Sequence, residues 1–205
     1  MLYLFIYLTM KQILFFIFIV IATSGYSQNF STDISTAKTA YASGKLEDAH
    51  FALQQAMQEI DIIIGKKVIA MLPQKMDSYT ANAKDDNVTA NVGFIGTTIH
   101  RDYGQNMDVD LSIIGNSPLV GTLSTMLNAP LIGGLMRDAN NKIIKVQGYK
   151  GQLQKTETSN GKADYTLQIP LGSSLIIFTG KNTTDSQITA LANTIPLADI
   201  AKLIQ

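Results

Sequence analysis

The chain has 205 residues, with sixteen basic and sixteen acidic side chains, two histidines and no cysteine or tryptophan. Without cysteine it can form no disulfide, use no thiol in catalysis and carry no lipid on a cysteine. A balanced charge with no basic cluster gives no electrostatic footprint for nucleic acid, so we predict no nucleic-acid partner. The sequence contains no phosphate-binding loop and no Gly-x-Ser-x-Gly nucleophile motif, so we predict no cofactor and nothing indicates an enzyme.

Residues 1–27 have the three parts of a secretory signal peptide. Lys11 supplies a positive charge, residues 13–22 form a short apolar run, and the small residues Gly25 and Ser27 follow. We predict cleavage after Ser27 and a periplasmic or secreted protein with no stable membrane span after cleavage. The alternative is an uncleaved anchor, because residues 2–22 are just long enough to cross a bilayer.

Residues 28–73 are predicted to form a helical hairpin. Gly44 separates two helical patterns, Pro73 ends the second, and Gly65 is a candidate for a short break. The stretch 40–49 resembles one tetratricopeptide-type hairpin, a repeat that needs about three copies to bury a continuous core. We see no second copy, and we expect a plain hairpin packed on the rest of the domain. The second helix carries one apolar stripe: Leu46, Ala49, Leu53, Ala56, Met57, Ile60 and Ile64.

Residues 74–91 are polar and are predicted to be a loop or linker, with Asp85-Asp86 as a solvated turn. From residue 92 the apolar residues alternate with polar ones, which is typical of half-buried strands. One strand is expected to end at Tyr103 and the next to cover residues 107–113. A short helix follows as far as Asn128, with Ser117 as its cap and Pro118 as its first residue.

The remaining residues are predicted to form three strands and two helices. The strands cover residues 142–154, 163–169 and 175–179, and the last is continuously apolar and therefore expected to be central. Asn160-Gly161 is a hairpin signal before the second of them. A helix capped by Thr184 or Asp185 and another that starts after Pro196 close the chain. Strands in succession indicate an α+β domain over residues 92–205, an antiparallel sheet with packed helices.

His100, Asp108 and Asp110 are the nearest approach to a metal-binding set. A two-residue turn would place Arg101 opposite Asp108 as an ion pair. A three-residue turn would place His100 opposite Asp110 and Asp102 opposite Asp108. Only the second register could bind a metal in a cation-dependent hydrolase, and we expect a solvated polar face instead.

The uncharged stretch 111–136 contains the candidate ligand site. Its apolar residues fall on several sides of a short helix, so they could form a mobile lid or lining for an apolar small molecule, or a patch for an envelope protein. The alternative is that they are plain core against the sheet. The candidate ligand-binding residues are Leu119, Leu123, Met126, Leu127, Leu131 and Met136.

The sheet half resembles a group of uncharacterised exported proteins of Gram-negative bacteria. The residues that carry this resemblance are His100-Arg101-Asp102-Tyr103-Gly104, Asn116-Ser117-Pro118-Leu119, Asn128-Ala129-Pro130, Gly148-Tyr149, Gly172 and Gly180. Their order is similar to the α+β sandwich of the PsbP/Mog1-like proteins. The resemblance implies that fold and an accessory or binding role, and it carries over no catalytic residue.

We therefore expect an exported, soluble, non-catalytic binding or accessory protein of the cell envelope, with an apolar ligand as the first candidate. The alternative is an adaptor that docks on an envelope complex through the helical hairpin, where Gln54 and Gln58 are expected to be exposed.

Overall fold

The computed structural model describes residues 25–90, 96–129, 140–158 and 163–204, with side chains from Asn29 onward. Most of the predicted signal peptide (residues 1–24), the candidate ligand residues Leu131 and Met136, and the Asn160-Gly161 turn lie outside these ranges. The contacts divide the chain into two compact units, and the division falls between Ile60 and Asp61.

The first unit is a helical hairpin, as predicted. Helix α1 spans Gly25–Ala42 and helix α2 spans Leu46–Met71, so that the division between the units falls inside α2. Gly44 ends α1 with a φ of +74°, a left-handed conformation that glycine adopts without steric cost.

The predicted break at Gly65 is wrong, because α2 continues to Met71. Gly65 is needed for a different reason. A Cβ at this position would lie 2.4 Å from Cγ1 of Val88. Glycine therefore allows a close approach between α2 and the strand that contains Val88.

The second unit is built on a seven-stranded antiparallel sheet, which confirms the α+β class with its helical pair, antiparallel sheet and packed helices. The strands lie in the order β3-β4-β5-β9-β8-β7-β6, and a separate ribbon pairs β1 with β2. The helices of this unit are α3 (Leu119–Asn128), α4 (Asp185–Ala192) and α5 (Leu197–Leu203). The strands are β1 (Lys75–Met76), β2 (Tyr79–Thr80), β3 (Asn87–Thr89), β4 (Thr98–Tyr103), β5 (Val109–Ile114), β6 (Asn141–Val146), β7 (Tyr149–Glu157), β8 (Ala163–Leu171) and β9 (Ser174–Thr183).

Two sequence-based assignments need correction. Residues 74–91 are not simply a loop, since they contain β1, β2 and β3, and β3 pairs with β4. The single strand predicted over 142–154 is two strands, β6 and β7, joined by Gln147 and Gly148 with φ values of 50° and 90°. Gln147 holds this turn in place, because its Nε2 donates to the carbonyl oxygens of Asn193 (2.8 Å) and Ile195 (2.7 Å).

Strand β9 is the central strand, as its apolar sequence predicts, and it is buried on both faces. On one face Ile176 and Phe178 enter the main core, which also contains side chains of α2, α4 and α5. On the other face Leu175 packs with Leu123 and Leu127 of α3. The sheet is thus covered by helices on both faces.

Of the two helix caps predicted from the sequence, the cap of α4 is confirmed and the cap of α3 is not. Thr184 forms the predicted cap of α4, in a capping box with Gln187. Helix α3 begins after Pro118 without a side-chain cap, so the predicted role of Ser117 is wrong. In the described ranges of the chain, no helix is long and apolar enough to cross a membrane.

The two glycines inside α2 and α3 give opposite predictions. Alanine normally stabilises an open helix position relative to glycine by about 1 kcal/mol. Gly121 has open space around its Cβ position, so Gly121→Ala should stabilise the protein by about 0.5–1 kcal/mol. Gly65→Ala should destabilise it by about 1–3 kcal/mol, because the new methyl group overlaps Val88. Urea denaturation measures both, and a Gly65→Ala variant as stable as the wild type would contradict the close approach.

Candidate functional site

The hairpin of β4 and β5 sets the register of the polar residues, and both predicted registers are wrong. Tyr103 lies opposite Val109, so the turn has five residues, 104–108. Asp102 consequently lies opposite Asp110, and His100 lies opposite Ser112.

Contacts from outside the hairpin hold this turn open. The carbonyl oxygen of Asp108 accepts from the backbone nitrogen of Lys181 at 2.8 Å, and the backbone nitrogen of Gly104 donates to Thr80 at 3.0 Å. These partners belong to β9 and β2, so the turn length depends on tertiary contacts.

Four polar side chains come together on one face of β4 and β5. His100 Nδ1 lies 3.2 Å from Asp110 Oδ2 and 3.3 Å from Ser112 Oγ, while its Nε2 lies 3.9 Å from Asp102 Oδ2. Asp102 is 2 % exposed and accepts a hydrogen bond from the side-chain amide of Asn82. The expected solvated face is therefore wrong for Asp102.

Burial dominates the electrostatics of this cluster. It raises the pKa of Asp110 above its ordinary value, and the nearby Asp102 carboxyl group acts in the same direction. His100, the Ser112 hydroxyl and Lys181 oppose this rise without cancelling it. The sheet thus places the carboxyl groups of Asp102 and Asp110 opposite each other, with His100 in contact with both, and their repulsion lowers the stability of the fold.

The cluster does not have the geometry of a metal centre or a nucleophile. Asp108 lies in the turn, and no group of three or more His, Asp or Glu side chains in the described residues is placed to hold a metal ion. The metal hypothesis for His100, Asp108 and Asp110 finds no geometric support. A serine nucleophile needs its hydroxyl and the orienting carboxylate on different ring nitrogens, both within hydrogen-bond distance. Here Ser112 and Asp110 share Nδ1, and Asp102 is too far from Nε2.

Arg101 lies on the opposite face of β4 and forms a buried ion pair. Its Nε and Nη2 donate to the two carboxylate oxygens of Asp86 at 2.7 and 2.5 Å, and Nη1 donates to the carbonyl oxygen of Leu72 at 3.2 Å. Asp86 was predicted to be solvated, which is wrong, and the alternative that placed Arg101 opposite Asp108 does not occur either. A bidentate pair of this kind fixes the segment 72–86 against the sheet.

The candidate ligand residues on α3 divide between core and surface. Leu123 and Leu127 are buried against Leu175, which is the plain-core alternative. Leu119 is 58 % exposed and Met126 is half-buried. This arrangement uses the inner side of α3 to cover the sheet, and the ligand-binding role of the set stays a prediction.

The helical hairpin has the most unusual distribution of apolar residues. Among the described residues up to Ile60, its buried apolar residues are all small: Ala37, Ala40, Ala49, Ala52 and Ala56. Its large apolar side chains are exposed, among them Tyr41 at 71 %, Met57 at 66 % and Leu46 at 63 %. At 100° per residue, these large side chains other than Phe51 form one stripe on each helix, and both stripes fall on the same side of an antiparallel pair. We call this set the apolar face: Phe30, Ile34 and Tyr41 on α1, and Leu46, Leu53, Met57 and Ile60 on α2.

One expectation about the hairpin needs correction. Gln54 and Gln58 were expected to be exposed, and both are half-buried. Spacing identified the stripe on α2, whereas nothing in the spacing shows whether a stripe is covered.

The other side of the hairpin is polar and concave. A groove of about 580 Å³ runs between α1 and α2, lined by small side chains such as Thr36, Thr39 and Ser43, with Phe51 at one edge. Apart from Phe51, the large exposed apolar side chains of the hairpin thus lie on the side away from this groove.

No protein-family model matches this chain, and a search of the curated proteins finds no match either. The function must be inferred from the geometry of the chain itself. Of the features described, the apolar face is the one that the packing of the described residues leaves without an explanation.

Asp110 gives a prediction for the pH dependence of stability. The pKa of Asp110 is higher in the folded state than in the unfolded state, so at pH values between the two the native protein binds more protons. The free energy of unfolding therefore falls as the pH rises through this range. Asp110→Asn should therefore raise the free energy of unfolding at pH 7 by a few tenths to about 1 kcal/mol, the usual scale of a cross-strand pair. The gain should shrink at pH 3.5. Urea denaturation at both values measures it, and the exposed Asp85→Asn is the control. A loss of stability at pH 7 would contradict the electrostatic picture.

Proposed function

We propose that this chain is an exported accessory protein of the cell envelope that docks on a partner protein through the apolar face. The observation that supports this is the inverted hairpin, in which alanines are buried and eight large apolar side chains are exposed, seven of them on the apolar face. Soluble monomers rarely expose a contiguous apolar surface of more than a few hundred Å², and larger patches usually mark interaction sites. No catalytic role is needed to account for it.

The energetics favour occupation of this face. Full burial of one large apolar side chain stabilises by about 1.5–3 kcal/mol, whereas an alanine methyl group contributes about 0.8 kcal/mol. The hairpin thus leaves most of its burial energy unused by its own packing. A partner that covers the face would recover it on binding.

The charges of the hairpin favour a protein partner over a membrane surface. Residues 29–60 contain four acidic residues and two lysines. Helices that lie on anionic membranes are rich in lysine or arginine along their polar side, whereas in this hairpin acidic residues outnumber the lysines two to one. None of the seven residues of the apolar face is charged, so an uncharged surface of a protein is the complementary partner.

The resemblance to one tetratricopeptide-type hairpin suggests the shape of the partner. In a tetratricopeptide array, each hairpin buries its apolar surface against the neighbouring helix pair. This sequence has no second copy, so an amphipathic helix of the partner would take the place of that neighbour. Its apolar side chains, three or four residues apart, would contact the apolar face.

The export step has its own test. If residues 1–27 are a signal peptide, protein isolated from its own cells should begin at Gln28 and be released with the contents of the envelope. Intact-mass measurement reads the first residue directly. A mass that includes residues 1–27 would contradict export with cleavage, and would favour a retained anchor.

Site-specific photocrosslinking in the native cell tests the docking face. A photoreactive residue at Leu53 or Met57 should give one adduct with a single partner protein. The matched controls are positions 39 and 55, which line the groove on the polar side, and these should give no such adduct. Tyr41→Glu should reduce crosslinking from position 57 by about tenfold or more, since a charge would have to be buried in the complex.

Thermal unfolding of Tyr41→Glu should match the wild type, because Tyr41 is largely exposed in the free chain. Adducts only with lipid or with a second copy of this chain, or equal adducts from both sides of the hairpin, would overturn the proposal.

A further inference from the structure

The second unit contains a small cavity at one end of the sheet. It lies where β4 begins and β5 ends, beside the turn between β8 and β9, and its walls include residues of α2 and of the last turn of α5. The floor is apolar and consists of Ile64, Ile99, Ile113, Leu203 and Ile204. Exposed Asn116 and Ser173 lie at its edge, so it opens to solvent there.

The size of the cavity limits what it can hold. Its volume is about 180 Å³. An apolar cavity of about 150 Å³ in another protein admits a benzene molecule. This cavity therefore suits one small ring or a short chain and is too small for a lipid or a nucleotide, whose pockets are usually several hundred Å³.

The polar groups that line the cavity are hydroxyls and an amide, which can donate or accept hydrogen bonds, and one carboxylate. Asp61 is the one charged residue among the described lining residues, and in the described part of the chain no basic side chain forms an ion pair with it. Burial raises its pKa, and a hydrogen bond from Thr97 acts in the opposite direction. A partly buried carboxylate without a cation is stabilised when a cationic group arrives.

Ser174 adds a second polar group within the cavity. It is 2 % exposed and belongs to the cavity lining. Its Oγ would lie 3.9 Å from a Cβ built on Gly115, so it stands beside the open space that glycine leaves. A hydroxyl at this place can donate to or accept from a ligand with a hydrogen-bonding group.

We propose that this cavity binds a small organic cation, a primary ammonium group on a short apolar body, with the ammonium at Asp61 and the apolar body on the isoleucine floor. The proposal is independent of the docking role, because all the described lining residues belong to the second unit. An anionic ligand of the same shape would meet Asp61 and be rejected.

Three probes of similar shape test the charge requirement: benzylamine, benzyl alcohol and benzoate. Each is titrated into isotope-labelled protein purified in the form in which its own cell makes it. Amide NMR signals of Thr97, Gly115 and Ser174 should shift on binding. We expect benzylamine to bind about tenfold more tightly than benzyl alcohol, the difference between a charge-assisted and a neutral hydrogen bond. Benzoate should bind least.

Asp61→Asn is the decisive variant and Asp85→Asn its matched control. The first should remove the preference for the amine and leave the affinity for the alcohol, while the second, which removes a charge from an exposed loop, should leave the preference unchanged. No binding by any probe to the wild type, binding of benzoate equal to that of benzylamine, or an amine preference that persists in Asp61→Asn would each overturn the proposal.

Discussion

The burial of strand β9 on both faces is the constraint on which the rest of the second unit depends. Ile176 and Phe178 need an apolar layer on one side, and Leu175 needs one on the other. Helices α4 and α5, with the second half of α2, belong to the first layer, and α3 forms the second. Because side chains alternate along a strand, a shift of one residue would exchange the two sets, and each would then meet the layer that packs against the other.

The same alternation explains why a polar segment is folded onto the sheet. Arg101 and Asp102 are neighbours in sequence and point to opposite faces of β4. Arg101 pairs with Asp86 on the core side, and Asp102 accepts from Asn82 on the other. Asn82 and Asp86 both belong to the segment that composition alone describes as a linker. Two buried polar contacts on opposite faces of one strand leave this segment little freedom to act as one.

The sequence predicts what depends on local pattern and misses what depends on distant contacts. The central position of β9 follows from its apolar run, and the capping box of Thr184 and Gln187 is readable within four residues. The turn at Gln147 depends on carbonyl groups of Asn193 and Ile195, more than forty residues away. The five-residue turn after Tyr103 likewise depends on Lys181, which a count of nearby turn residues cannot reveal. Asp61 was missed for the same reason, since its cavity is assembled from five separate parts of the chain.

The contrast between the two units bears most directly on function. A chain without cysteine is held together by burial, and the sheet unit buries Leu, Ile, Val and Phe side chains in one continuous core. In the hairpin, alanine occupies the buried positions and the residues with the most to gain from burial remain in solvent. Packing of the described residues explains why alanine stands at 37, 40, 49, 52 and 56. It does not explain tyrosine at 41, leucine at 53 or methionine at 57. Polar residues at these positions would form the helix equally well and would make the protein more soluble. Large apolar residues at those positions are accounted for by a surface that another protein covers.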